Sequence, residues 1–294
     1  MTPKQRQRRF TVDSYSSTPR DARPVAMLPN LLTLLALACG LTAIRFAIVG
    51  NYRMVVILIV AEALLDASDG RVARALGATS SMGEQLDSLA DAIGFGVAPA
   101  IVTYTLISET DHRRLWTLAW FAAMVYVSAI VLRLARFNTD LEDDDRPDYL
   151  KEFFIGVPAP AASWLALAPV IAMLGFGQGW WSHPIVLAAW LILVAALAFS
   201  RIPTLSFKKL DMPSPAIRVG LLFVALLLVA GVFTHPAGTM LVVLGLYFAH
   251  IPFAIYQYST RRIEHSGALS ARQLRALRRA GKHRRPRAAY RATL

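Results

Sequence analysis

Residues 62–100 read EALLDASDGRVARALGATSSMGEQLDSLADAIGFGVAPA. Carboxylates inside apolar, membrane-length segments are costly, and by default they mark a functional site. Asp66 and Asp69 stand three residues apart, and Asp87 and Asp91 four apart, so each pair points from one face of its helix. The stretch from Gly77 to Gly83, with Ala, Thr and Ser between, reads as a short turn that makes the two helices antiparallel neighbours. Four carboxylates then converge near one end of a helical bundle, where such anions cannot sit together unneutralised. Hard oxygen donors in this number suit Mg²⁺ or Mn²⁺, one ion or two, with positions left open for substrate phosphates. Gly70, Ala73, Gly77 and Gly83 let backbone or substrate approach closely. Arg71 and Arg74 are the adjacent cations, and Arg74 reaches phosphates if it faces inward. Two arginines leave four acids undercompensated, which argues against a cluster that only solders helices.

Outward from this stretch the chain is built for lipid. Its 294 residues are 55% hydrophobic and 17% charged, against about 45–50% and about 25% in soluble domains. The 31 Lys and Arg outnumber 19 Asp and Glu, for a net charge of +12. Apolar spans with cationic ends fit an integral membrane protein, exclude a disordered chain, and argue against a soluble enzyme. The single cysteine, Cys39, excludes an intramolecular disulfide framework. Measured against the roughly 20 apolar residues that cross the hydrocarbon, eight segments qualify: 28–49, 54–76, 84–108, 115–135, 154–175, 184–200, 216–234 and 238–257. The basic N-terminus and the arginine-rich stretch after Tyr258 place both termini in the cytoplasm, consistent with an even count. Arg113 and Arg114 fall on the outer side, a mild discord. The expected fold is an all-α polytopic bundle of about eight transmembrane helices. Its expected organisation is a basic cytoplasmic segment (1–26), a transmembrane domain (27–257) and a basic cytoplasmic tail (258–294). The basic ends suit anionic membrane lipids at about 1 kcal/mol per Lys or Arg near the surface, rather than nucleic acid.

The pattern Asp66-x2-Asp69-Gly70-x2-Ala73-Arg74-x8-Gly83-x3-Asp87-x3-Asp91 resembles, without departure, the signature of the CDP-alcohol phosphatidyltransferases. That resemblance implies a membrane helical bundle, usually a homodimer. It would move a phosphatidyl group from CDP-diacylglycerol to an alcohol and release CMP. It further implies two metal ions held by Asp66, Asp69, Asp87 and Asp91, with Asp91 also serving as the base. Gly70, Ala73, Arg74 and Gly83 would bind CDP-diacylglycerol. Asn30, Thr33 and Ser80, polar and near the expected entrance, join them as candidates, with helix capping as the plainer alternative.

Further stretches resemble the membrane-embedded bacterial branch of this family that uses L-serine. They are Pro29–Thr33 with Cys39-Gly40, Leu86–Pro99, Arg133–Asn138, and Phe154–Ala161. Arg133 and Arg136 stand three apart at the end of the fourth span, and a guanidinium fork suits the carboxylate of an amino-acid acceptor. Asn138 could accept from its ammonium. Snorkelling anchors, or a pocket for the diphosphate or an acceptor phosphate, are the alternatives for the arginines. The acceptor could then be a phosphorylated alcohol, as in phosphatidylglycerolphosphate or phosphatidylinositol phosphate synthesis. A cation transporter is the rival from another class, but it needs no Gly and Ala at fixed offsets. The acids Asp140 to Asp145 read as a solvated loop, and the scattered histidines show no metal-ligand spacing.

Overall fold

The computed structural model describes residues 27–109, 113–141, 153–200, 203–205 and 215–254. Both basic ends and the acidic run beyond Leu141 lie outside the described residues. The elements in order are α1 (Leu28–Ile48), α2 (Tyr52–Leu76), α3 (Ser81–Asp91), a π-helical segment (Ala92–Val97), α4 (Ala98–Ser108) and α5 (Arg113–Leu141). There follow β1 (Phe153–Ile155), α6 (Ala159–Ala166), α7 (Ala168–Phe176), a short 3₁₀ turn (Trp180–Ser182), α8 (Pro184–Phe199), β2 (Pro203–Leu205) and α9 (Pro215–Thr234). A last helix, α10, spans Pro236–Ala254.

The buried and exposed residue types are inverted relative to a water-soluble bundle. Alanines fill the interior, among them Ala43, Ala47, Ala98, Ala122, Ala123, Ala162, Ala188 and Ala195. Leu31, Leu34, Leu41, Ile57, Leu64, Phe121 and Leu132 face outward. In lipid no hydrophobic force drives helices together, so close approach through small side chains does the packing while large aliphatics meet acyl chains. The protein is a multi-pass membrane protein. Among the described residues, four helical rods are long and apolar enough to cross a bilayer: Leu28–Ile48, Ser81–Ser108, Leu115–Thr139 and Pro236–Ala254. Joining α6 and α7, which meet at 41°, makes five. The expected fifth span is therefore a broken one. Pro169 at the start of α7 lacks the N–H that would continue the ladder and disfavours helical geometry just before it.

Local sequence explains the elements that frame the site. Asn51 caps α2 by accepting from the Met54 N–H at 3.2 Å, and Gly77 ends that helix in a left-handed conformation (φ 61°). Ser80 caps α3, its hydroxyl accepting from the Gly83 N–H at 3.1 Å. Thus the chain turns back from α2 into α3 over a tight link, and both helices pack on α1. On the other side α5 packs against α4, the π segment and α8. Among the described residues the strands are confined to one three-residue antiparallel ribbon, β1 with β2, in which Phe154 pairs with Thr204.

Candidate active site

The aspartates of α2 and α3 meet. Asp66, Asp69 and Asp87 each present a carboxylate oxygen within 4.8 Å of the other two. Asp91 sits one turn further along α3, and the Asp66 carboxyl lies close to those of both Asp87 and Asp91. The antiparallel return at Gly77–Ser80 produces this convergence, as the spacing predicts. Thr33 of α1 holds one member in place. Its hydroxyl donates to Asp69 Oδ2 at 2.6 Å and lies 3.2 Å from the Pro29 carbonyl.

Beside the carboxylates opens a cleft of about 180 Å³ between α1, α2 and α3. Asn30, Thr33, Gly70, Ala73, Arg74, Ser80 and Gly83, the candidates for donor binding, all line it, together with Asp69, Asp87, Thr79 and Glu84. The small residues make the room. A methyl group added at Gly83 would lie 3.1 Å from Asn30 Oδ1 and 3.2 Å from Ser80 Oγ. One added at Gly70 would lie 3.4 Å from a terminal nitrogen of Arg74. The cleft therefore pairs a cationic and hydroxyl-bearing wall with a carboxylate floor. The donor set is all hard oxygen and at least three carboxylates deep, and it fits divalent cations of the Mg²⁺ class.

The three residues considered for the acceptor go to different places. Arg133 is buried (7% exposed) and interacts electrostatically with Asp91 and with Tyr247 of α10. Its Nε is buried without a hydrogen-bond partner. Arg136, one turn on, instead donates to the Phe199 carbonyl at 3.0 Å and stacks over the Phe199 ring at 4.9 Å. It thereby closes the C-terminal end of α8, where carbonyls lack helical partners. Asn138 exchanges hydrogen bonds with Ser88 of α3, its amide donating at 2.9 Å. The two arginines thus do not share one pocket, because α8 claims Arg136, a contact that spacing along α5 cannot reveal.

The family model of the CDP-alcohol phosphatidyltransferases matches residues 26–202. The chain belongs to this family. It is 43% identical over 246 residues to the CDP-diacylglycerol–serine O-phosphatidyltransferase of Mycobacterium leprae, covering 82% of this chain and 79% of that one. The Mycobacterium tuberculosis protein of that name is 38% identical over 81% of this chain and 82% of its own length. The Helicobacter pylori protein of that name is 31% identical over 77% of this chain and 90% of its own length. The match to the family covers α1 to α8 and with them all four aspartates and the cleft. This family of transferases generally uses a divalent metal, and the carboxylate cluster is where this chain could hold one.

Two buried groups near the cluster escape a reading based on motifs. Glu62, one turn before Asp66 on α2, is 2% exposed. An ionisable residue in a membrane helix is the signal that could have found it. Tyr247 is carried by α10, beyond the family match, and nothing in the sequence connects it with Arg133.

Proposed function

We propose that this protein transfers the phosphatidyl group of CDP-diacylglycerol to the hydroxyl of L-serine and releases CMP. The observation that carries the reaction type is one cleft in which Asp69 and Asp87, two of three carboxylates within 4.8 Å of one another, meet every residue the signature assigns to the donor. The choice of serine is supported by the names of the relatives and by a buried arginine beside Asp91.

Asp66, Asp69 and Asp87 would hold one divalent ion and Asp66, Asp87 and Asp91 a second. Bound Mg²⁺ or Mn²⁺ would neutralise the diphosphate and the charge developing on the departing CMP oxygen. Arg74 reaches the diphosphate from the cleft wall, and Gly70, Ala73 and Gly83 keep that wall low enough for the nucleotide. Asn30 and Ser80 offer polar contacts at the rim, and Thr33 orients Asp69. Arg133 pairs with the acceptor carboxylate, which brings the hydroxyl to Asp91. Asp91 takes the hydroxyl proton as that oxygen bonds to the lipid-bearing phosphorus. The bond from phosphorus to the CMP oxygen breaks in the same in-line displacement, without a covalent enzyme intermediate. Arg136 and Asn138 support this wall by tying α5 to α8 and α3.

In the same proposal the helices form eight spans, with α3–α4 one of them and α6–α7 another. The domain occupies 27–257, and both termini and the cleft face the cytoplasm at the cell membrane. The basic segments 1–26 and 258–294 rest on anionic lipid, and the working unit is a homodimer. The test is CMP release by purified protein in detergent with CDP-diacylglycerol and Mn²⁺ or Mg²⁺, comparing L-serine, glycerol 3-phosphate and inositol phosphate. Serine-dependent release abolished by EDTA is the expected result. Release only with a phosphorylated alcohol would keep the aspartates but turn Arg133 into a phosphate ligand.

A further inference from the structure

Glu62 occupies an unusual place. Its carboxyl lies against two glycines, Gly40 of α1 and Gly94 of the π segment. A methyl group at Gly94 would fall 1.2 Å from Glu62 Oε1, in the same space, and one at Gly40 would fall 2.8 Å from that oxygen and 2.9 Å from the Gly94 Cα. The Gly40 and Gly94 backbones meet directly, and the carboxyl fills the space beside that contact. Glu62 Oε2 is buried with no hydrogen-bond partner. What the side chain supplies is volume.

The segment it touches begins immediately after Asp91. Residues Ala92–Val97 wind as a π-helix inside the Ser81–Ser108 rod. Such a turn is a wider, higher-energy state of a helix, found often at functional sites and needing outside support. Support comes from two sides. The Tyr126 hydroxyl of α5 donates to the Phe95 carbonyl at 2.9 Å, and Glu62 abuts Gly94 from α2. Gly94 lies three residues past Asp91 in the same rod, so the lateral position of the π segment bears on how far Asp91 reaches toward Asp66.

We propose that Glu62 is a positioning residue whose side-chain volume, packed against Gly94 where Gly40 also meets it, sets the π turn and thereby holds Asp91 against Asp66. This rests on Asp91 being the base and a ligand of the second ion. It makes shape, not charge, the property that matters at position 62.

The experiment uses full-length protein in detergent with two readouts: CMP release, giving kcat and KM, and direct Mn²⁺ titration by electron paramagnetic resonance. Glu62→Gln, equal in shape, is expected to stay within about threefold of wild type in both, while Glu62→Ala loses about 10- to 100-fold in kcat and in the weaker Mn²⁺ affinity, the range for groups supporting metal ligands. KM for CDP-diacylglycerol should hardly move, because the donor cleft is lined by other residues. Gly94→Ala should be worse than Glu62→Ala, and the double variant Glu62→Ala/Gly94→Ala should recover at least about tenfold over Gly94→Ala, the non-additivity expected of two groups sharing one space. The proposal is overturned if Glu62→Gln is as impaired as Glu62→Ala, if Glu62→Ala matches wild type, or if the double variant is no better than Gly94→Ala. Should Glu62→Ala fail to fold, Glu62→Gln and the Gly94 pair still decide. Should the wild type release no CMP with serine, the acceptor assignment fails, while the Mn²⁺ titration still judges Glu62.

Discussion

Thr33→Val tests how the carboxylate cluster is held. Thr33 is 5% exposed and donates to Asp69 Oδ2 at 2.6 Å. Valine keeps the branched shape and removes the hydroxyl, so α1 and α2 can stay packed while Asp69 loses its only donor from another helix among the described residues. A hydrogen bond to a charged group contributes about 1.5–3 kcal/mol, and with tenfold per about 1.4 kcal/mol the cation affinity should fall about 10- to 140-fold. The assay is Mn²⁺ titration by electron paramagnetic resonance, with CMP release measured against Mn²⁺ concentration. Activity should return toward wild type at high Mn²⁺, because the carboxylate is misoriented rather than absent. Thr33→Ser, which keeps the hydroxyl, should behave as wild type. If Thr33→Val binds Mn²⁺ and turns over within about twofold of wild type, the bond does not orient Asp69, and the site tolerates a free carboxylate.

Four further expectations follow from the same geometry. Asp91→Asn should lower kcat by about 10²–10⁴-fold, the usual worth of a positioned base, without changing the melting temperature by more than a few degrees; a near-wild-type rate would remove Asp91 from the chemistry. Gly83→Ala puts a methyl group 3.1 Å from Asn30 Oδ1, so KM for CDP-diacylglycerol should rise while KM for serine stays; a rise confined to serine would misplace the donor. Arg133→Gln should raise KM for serine about 10- to 100-fold, from the about 1.5–3 kcal/mol of a charged hydrogen bond, whereas Arg136→Gln should lower thermal stability with KM unchanged; the reverse pattern would exchange their roles. Tyr126→Phe leaves the Phe95 carbonyl without its donor and should cost about 1 kcal/mol of stability, read by thermal unfolding in detergent.

Much of the site was legible because its chemistry is local. The pairs Asp66–Asp69 and Asp87–Asp91 need only helical spacing to share faces, and Ser80 and Gly77 need only a cap and a left-handed turn. These give the antiparallel return that closes the cluster, and the lining of the cleft by Asn30, Thr33 and Ser80 agrees with their expected place near the entrance. Arg136 and Asn138 were not legible, since their partners Phe199 and Ser88 are 63 and 50 residues away along the chain. The fifth apolar segment reads as one span by composition, yet Pro169 splits it at a 41° bend.

By itself the amino-acid sequence determined that the chain lives in a bilayer, that its acids gather at one end of two consecutive helices, and that small residues clear a space beside them. Those properties follow from composition, period and turn chemistry, each set within a few residues. The tertiary structure alone decided which helix meets which. It placed the Thr33 hydroxyl on Asp69, Arg133 beside Asp91, and the Glu62 side chain against Gly40 and Gly94. The physical reason is that helices in lipid associate by close packing of small residues, and alanines and glycines recur on nearly every helix of this chain. Only the assembled bundle selects the pairs that fit.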